Sequence, residues 1–195
     1  MATFFTADTH FGHENVIKHS RRPFADVDEM NAALRQNWNA RVTDKDDIYI
    51  MGDFFYKGSG GPTQIIKQLN GRKHLIRGNH DGRYLKDAAF REQFVEIVDL
   101  LNLNVDGKHI ILCHYPIAEW PRYFQGSWHI HGHIHNRRGE TFEFLRTKER
   151  ALNAGADITH FSPVTFDELK TYNYIFKAQE PCPDEPFSDL IDDDE

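Results

Sequence analysis

Short apolar runs alternate with helical periodicity through the first half of the chain. Three runs of apolar residues each stop at a Gly, Asp or Asn, which is typical of buried strands that end in loops. Residues 26–42 place Val27, Met30, Leu34 and Trp38 at helical spacing, and Gly60-Gly61-Pro62 opens a second helix. The predicted strands cover residues 2–7, 46–52 and 72–78.

The second half of the chain has a different pattern. Residues 84–94 are helical, and residues 94–114 predict strands joined by a turn at Asp106-Gly107. A Thr-x-x-Glu capping box begins a last helix at Thr165. Further short strands are predicted over residues 128–131, 141–145 and 150–154. We therefore expect one α/β domain whose early half is of parallel type and whose later half is richer in hairpins.

Composition and charge narrow the class of protein. The 195 residues are 39% hydrophobic, enough for one globular domain, which we place at residues 1–177. Seven of the 30 acidic residues lie between Asp184 and Glu195, so the remainder balances the 23 Lys and Arg. We interpret residues 178–195 as an acidic tail, and we expect no clamp for duplex nucleic acid.

The sequence gives no sign of secretion or of a membrane. Cys113 and Cys182 have no CxxC partner, and we find neither a leader nor a long apolar span. We expect a protein of the cytoplasm, or of the host cytoplasm if a phage encodes it. The oligomeric state stays open.

Polar side chains follow the predicted strands at their carboxyl ends. Because sites in open α/β sheets form beyond those ends, we expect the side chains to meet. Each motif alone is explained as well by a turn, a cap or a satisfied histidine. The motifs are Asp8 with His10, Asp53, Asn79 with His80 and Asp81, His114, and His133 with His135.

The ordered set "DTH", "GD", "GNHD", "H" and "GHIH", between residues 8 and 135, resembles the calcineurin-like metallophosphoesterase superfamily. The stretches "ADTHFGHENVIKHSRRPF" and "LNAGADITHFSPVTFDEL" resemble small single-domain bacterial and phage members. This resemblance implies a four-layer fold, in which two mixed β-sheets pack as a sandwich flanked by helices.

The resemblance also implies a dinuclear metal site. Asp8, His10 and His135 would bind one ion, and Asn79, His114 and His133 the other, with Asp53 as the bridge. Oxygen and imidazole ligands suit Mn first, with Fe, Zn, Ni or Co as alternatives. Hydroxide held between the ions would attack phosphorus.

His80 matches the general acid of the superfamily, and Asp81 is expected to hold the tautomer of its ring. Tyr56 stands where the protein phosphatases of the superfamily carry a second Asp, which argues against that activity. We assign no metal to His129, and we interpret His131 as a satisfied or supporting imidazole.

Several residues are candidates for contact with substrate, each with a structural alternative. His13 either lines the pocket or starts a helix, and the Arg21–Arg22 pair either binds phosphate or is solvated. The aromatic residues either stack on a substrate or pack in the core. The candidates are His13, Arg22, Phe54, Tyr56 and Trp120.

The leading hypothesis is a hydrolase that cleaves phosphodiester or phosphomonoester bonds of a nucleotide-like or small phosphate ester. A polynucleotide-end phosphatase or single-strand nuclease is an alternative enzyme. A binding module on the same fold, without catalysis, is the alternative from another class. The complete ligand set together with His80 favours an enzyme.

Overall fold

The structure is a computed structural model that describes residues 1–56 and 61–180. Gly60, Cys182 and most of the predicted tail, residues 181–195, lie outside the described residues. The described part contains strands β1 (Thr3–Thr6), β2 (Asp47–Ile50), β3 (Arg72–Ile76), β4 (Phe94–Val98), β5 (Leu100–Val105), β6 (Lys108–Cys113), β7 (Trp128–His131) and β8 (Ala151–Asn153). No helix of the described residues is long and apolar enough to cross a membrane.

Two four-stranded sheets organise the domain, and their strands follow the order of the chain. The first sheet, β1-β2-β3-β4, is parallel throughout. In the second sheet, β5-β6-β7-β8, only the β5–β6 pair is antiparallel. The expectation of a hairpin-rich later half is therefore wrong beyond that pair. The turn at Asp106-Gly107 is confirmed, with φ of 50° and 75° as the tight turn of a hairpin requires.

The helices of the described part are α1 (Glu14–His19), α2 (Val27–Arg41), α3 (Gly61–Ile66), α4 (Ala88–Arg91), α5 (Glu140–Arg146) and α6 (Phe166–Lys177), with 3₁₀ turns at Asp81–Lys86 and Tyr123–Gln125. The capping box is confirmed, because Glu168 accepts from the Thr165 backbone N–H at 2.8 Å. The strand predicted over residues 141–145 is wrong, since these residues belong to α5. Phe142 and Leu145 are buried three residues apart, while Phe144 is exposed.

Alternate residues of the strands separate the core into layers, because successive side chains of a strand face opposite ways. Phe4 and Ile48 pack with Met30 and Trp38 of α2 on the outside of the first sheet. The space between the sheets is filled from both sides by Phe5, Met51, Ile76, Ile110, Leu112, Ile130 and Leu152. The sandwich expected from the sequence is confirmed, with one parallel and one mixed sheet.

Candidate metal centre

The carboxyl ends of β1, β2, β3, β6 and β7 deliver the predicted ligands to one edge of the sandwich. Asp8, His10 and His135 are buried and offer ligand atoms that lie within 4.8 Å of one another. Asp8, Asp53 and His114 form a second such group. Asp53 lies between the two sides, since its Oδ2 is 3.7 Å from His10 Nε2 and 3.5 Å from His114 Nε2.

Asn79 and His133 complete the second side of this centre. The Asn79 carbonyl oxygen, Oδ1, lies 2.9 Å from His114 Nε2 and 3.2 Å from His133 Nδ1. The backbone N–H of His133 donates to both carboxylate oxygens of Asp8 at 3.0 Å. The seven predicted ligands are therefore brought together, three around one point and four around a neighbouring one.

The hydrogen bonds of two rings determine which nitrogen carries the proton. His114 Nδ1 lies 2.8 Å from the Met51 carbonyl oxygen, and His135 Nδ1 lies 2.8 Å from Asp157 Oδ2. Because both partners only accept, each Nδ1 donates, and each Nε2 of the neutral ring keeps its lone pair. These lone pairs point into the cluster of carboxylate and amide oxygens.

The donor set fits divalent cations. Imidazole nitrogens and carboxylate oxygens converge within 4.8 Å of one another in both groups. The Nε2 of His10 is buried, and no residue of the described part hydrogen-bonds to it. A buried polar atom without a partner costs free energy unless an ion or water satisfies it. Two adjacent cations would satisfy all of these atoms together.

Burial keeps the rings of His10 and His133 neutral, as ligation requires. It lowers the pKa of His10 well below its usual value and that of His133 to about 4, and it raises the pKa of the Asp8 carboxyl. His135 differs, because the effect of its burial is outweighed by the hydrogen bond to Asp157 and by the charges of Asp8 and Asp157. These raise the pKa of His135.

Five of the seven ligands adopt left-handed backbone conformations, which are rare for residues other than glycine. Such strain costs about 1–3 kcal/mol per residue and collects at functional sites. The five are Asp8 (φ 52°), His10 (49°), Asp53 (51°), His133 (70°) and His135 (51°). The strand ends are thus bent at the ligands themselves.

Glycines next to the ligands permit close approach of the backbone. A Cβ on Gly132 would stand 2.7 Å from Asp8 Oδ2, and one on Gly78 would stand 2.6 Å from Asp53 N. Gly132 does not have a positive φ. Gly132 therefore serves to leave room for Asp8 and not to supply a left-handed bend.

His80 lies at the rim of the centre, with its side chain 26% exposed and its Nε2 4.0 Å from Asp53 Oδ2. Asp81 is buried and makes contacts different from those expected. Its carboxylate accepts from the backbone N–H groups of Gly78, Asp53 and Phe54, at 2.8, 3.0 and 3.1 Å. Asp81 therefore ties the Asp53 loop to the loop that carries Asn79 and His80.

The four alternating histidines divide between two uses. His133 and His135 join the metal centre, while His129 and His131 are buried on β7. His129 donates from Nδ1 to the Ile111 carbonyl at 3.0 Å and accepts at Nε2 from the Ile117 N–H at 3.1 Å. Both nitrogens of His129 are therefore satisfied without a metal. His131 Nδ1 lies 3.0 Å from the Gly132 carbonyl.

Three of the candidate substrate contacts are wrong. Arg22 is buried, and all its guanidinium nitrogens donate to groups of the protein. Phe54 is fully buried in the core. Trp120 is 2% exposed and donates to the Ser127 hydroxyl at 3.0 Å.

His13 and Tyr56 remain near the centre. His13 precedes the first residue of α1, and its Nδ1 lies 3.1 Å from Nδ1 of His10. The Tyr56 ring stacks on the His13 ring at 3.9 Å between centroids and stands edge-on to His80 at 5.9 Å. His13 therefore lies at the start of a helix and beside a ligand, and its contact with substrate stays a prediction.

Sequence reasoning missed Asp157 and Tyr115. Asp157 follows the carboxyl end of β8, so the expectation that functional side chains lie beyond the carboxyl ends of strands, which located the ligands, also applies to it. Tyr115, next to His114, is 47% exposed, and its ring meets the His133 ring edge-on at 4.8 Å. Only the structure brings it to the rim of the centre.

No protein-family model matches the chain. It is 34% identical over 166 residues to the uncharacterized protein MJ1445 of Methanocaldococcus jannaschii, covering 84% of this chain and 86% of that protein. It is 29% identical over 161 residues to the Gene 66 protein of Mycobacterium phage L5, covering 69% and 77%.

Two solved structures superpose on the described fold to different extents. The crystal structure of AQ665 from Aquifex aeolicus, a protein of unknown function, superposes with a TM-score of 0.69 and 27% identity over 87% of this chain and 97% of that one. The Pseudomonas putida nuclease MPE superposes with a TM-score of 0.42 and 22% identity over 68% and 60%. AQ665 therefore shares the whole architecture.

Proposed function

We propose that this chain, which belongs to the family of the uncharacterized protein MJ1445, is a metal-dependent phosphoesterase with two divalent ions. That relative's name assigns no activity, so the proposal starts from the site. It rests on one observation: seven oxygen and imidazole ligands, five of them in strained conformations, converge on two adjacent positions, with Asp8 common to both buried groups and Asp53 between His10 and His114. The resemblance of the motifs to the metallophosphoesterase superfamily agrees with this chemistry.

Each group of residues has a part in the proposed reaction. Asp8, His10 and His135 would hold one ion, Asn79, His114 and His133 the other, and Asp53 would bridge them, with Mn as the first candidate metal. The ions would supply Lewis acidity toward phosphate oxygens and lower the pKa of water. His80, at the exposed rim, would give a proton to the leaving oxygen.

Asn79 is exposed and the side chain of His80 is 26% exposed, so this edge is open to solvent and a phosphate ester can enter there. The substrate class we propose is a small or nucleotide-like phosphate ester. Tyr115 is 47% exposed and Tyr56 is partly exposed, and both present aromatic surface near the centre to which a base can pack.

A substrate panel tests the proposal. Purified protein, stripped of metal and reloaded with Mn, Ni, Zn or Mg, would be assayed on phosphomonoesters, diesters, cyclic nucleotides and short oligonucleotides. We expect hydrolysis with Mn, loss with chelator, and loss in Asp53→Asn. Preference for oligonucleotide ends or single strands would select the nuclease alternative. Two bound ions without hydrolysis of any member would favour a binding module instead.

A further inference from the structure

Arg22 and Asp157 form a fully buried ion pair directly behind the metal centre. Arg22 Nε donates to Asp157 Oδ1 at 2.8 Å, and Nη2 donates to Oδ2 at 3.2 Å. The two side chains are 0% and 1% exposed.

The Arg22 side of the pair holds the loop that carries two ligands. Nη2 of Arg22 donates to the carbonyl oxygen of Asp8 at 2.7 Å, and Nη1 donates to that of Thr9 at 2.9 Å. Asp8 and His10 both have left-handed φ in this loop. Arg22 therefore fixes a strained backbone turn from outside the ligand set.

The Asp157 side holds the third ligand of the same group. Its Oδ2 accepts from Nδ1 of His135 at 2.8 Å, and the Ser20 hydroxyl lies 3.2 Å from the same nitrogen. A carboxylate in this position fixes the tautomer and raises the basicity of the coordinating Nε2. The pair thus joins the Asp8 loop to the His135 ring.

The other half of the centre is supported differently. His114 donates to the Met51 backbone carbonyl, and no hydrogen bond of Arg22 or Asp157 within the described residues reaches Asn79, His114 or His133. Asp8 lies in both buried groups, but His10 and His135 lie in only one of them, so the effect of the pair should fall chiefly on one ion.

We propose that the Arg22–Asp157 pair is a positioning element that sets the cation affinity of the Asp8–His10–His135 group, separately from the Asn79–His114–His133 group. The inference rests on the proposed function only through the two-metal centre and requires no turnover. Loss of such a supporting carboxylate typically weakens metal binding about 10–100-fold.

The test is a Mn titration of the full chain by calorimetry, with metal content measured after dialysis. We expect two ions in the wild type. In Asp157→Asn the negative charge is lost and one acceptor oxygen becomes an amide NH2, which can accept neither from Arg22 nor from His135, so one affinity should fall about 10–100-fold while the other changes far less. His133→Ala is the matched control and should weaken the other ion. Absorption of the Co-loaded forms would distinguish which group is empty.

A second variant controls for the effect of misfolding on metal affinity. Arg22→Met with Asp157→Leu removes both charges and leaves apolar side chains, so no buried charge is left unpaired. His135 still loses its acceptor, and the same ion should weaken while circular dichroism shows a folded chain. Unchanged affinities in both variants, or equal weakening of both ions, would overturn the proposal, as would a wild type that binds no ion. A wild type that binds two ions but hydrolyses nothing would overturn the proposed function alone.

Discussion

At the scale of single residues, the loop from Gly78 to Asp81 has the least freedom to change. Gly78 lies against the backbone of Asp53. The side chains of Asn79 and His80 face the centre, and the Asp81 carboxylate accepts hydrogen bonds from three backbone N–H groups. The backbone N–H of His80 also donates to Asp53 Oδ1 at 3.0 Å. The position of Asp53 therefore depends on this loop as well as on β2.

Gly78→Ala should damage the centre. Its Cβ would lie 2.6 Å from Asp53 N, a backbone atom that cannot move aside without shifting Asp53. We expect a loss of about 1–3 kcal/mol in the free energy of unfolding and weaker Mn binding. Gly82→Ala, in the same loop, is the control, because a Cβ there meets nothing within 4 Å. Denaturant titration and metal analysis of the two variants would show the difference, and equal behaviour would refute the steric argument.

His80→Ala should separate chemistry from metal binding. Because we assign His80 as an acid and not as a ligand, both ions should remain. The rate should fall by about 10²–10⁴-fold for alkyl or nucleoside esters, whose leaving oxygen needs a proton. p-Nitrophenyl esters should lose less, since p-nitrophenolate is already a stable anion.

The variants beside His80 provide the comparison. Asp53→Asn should slow all esters alike, because it weakens the bridge. Asp81→Asn should do the same, since Asp81 holds the Asp53 loop. If His80→Ala slowed good and poor leaving groups equally with its metal intact, His80 would be a substrate-binding residue.

Single residues were predictable where their motif is local. Asp8, His10, Asp53 and the later ligands each adjoin a strand end in the sequence, so the strand-end rule located them. Arg22 and Asp157 are 135 positions apart, and only the fold turns an apparently solvated arginine into a buried partner. The backbone strain at the ligands could not be predicted from the sequence either, because it follows from the tertiary positions of the strands.

At the scale of elements, strands with short apolar runs were predicted well and α5 was not. Its residues 141–145 alternate in polarity as a strand would, but they follow Gly139 and pack Phe142 against Phe176 of α6 at 4.9 Å. The sequence could not indicate that α6 lies there. Tertiary packing outweighed the local pattern.

His129 on β7 should make the free energy of unfolding decrease at acid pH. Burial lowers the pKa of this ring to about 4. The unfolded ring titrates near 6.5, so between these values the unfolded chain binds more protons. The stabilising effect is complete above pH 6.5 and is lost as the pH falls toward 4, by about 1.4 kcal/mol per pH unit and about 3 kcal/mol in all.

His129→Gln tests this dependence. Glutamine can donate to Ile111 and accept from Ile117 without titrating, and it should keep both ions at pH 7. Denaturant titrations of chelated protein between pH 7 and 5 should give a shallower loss of stability in the variant. An identical slope in both proteins would assign the acid sensitivity to other groups. Emptying of the centre in His129→Gln would contradict our division of the four histidines.

At the scale of the molecule, the metal centre joins the two sheets. Its ligands come from β1, β2 and β3 of one sheet and from β6 and β7 of the other. Ions bound only by the folded state therefore stabilise the packing of the sandwich. This architecture followed from the resemblance in the sequence, and the β5–β6 hairpin from its turn, whereas the parallel pairing of β6, β7 and β8 did not.

Chelation should lower the melting temperature. With free Mn at 100 times its Kd, each site adds about 2.7 kcal/mol, which corresponds to about 5–10 °C in a chain of this size. Scanning calorimetry with and without chelator measures the shift, and added Mn should reverse it. In Asp53→Asn the shift should be much smaller. If chelation left the melting temperature of the wild type unchanged, cation binding by the folded protein would be contradicted.

The position of β1 has a consequence for synthesis of the protein. One edge of β1 pairs with β2, and near its other edge Ala7 bridges to Gly155 and Phe5 to Val164. The strand translated first is thus completed by residues translated almost last. At about 5–20 residues per second, the ribosome takes roughly 8–30 s to reach Asp157. Until these later residues have been synthesised, β1 lacks the partners that cover this edge, so we expect the nascent chain to need protection from aggregation during that interval.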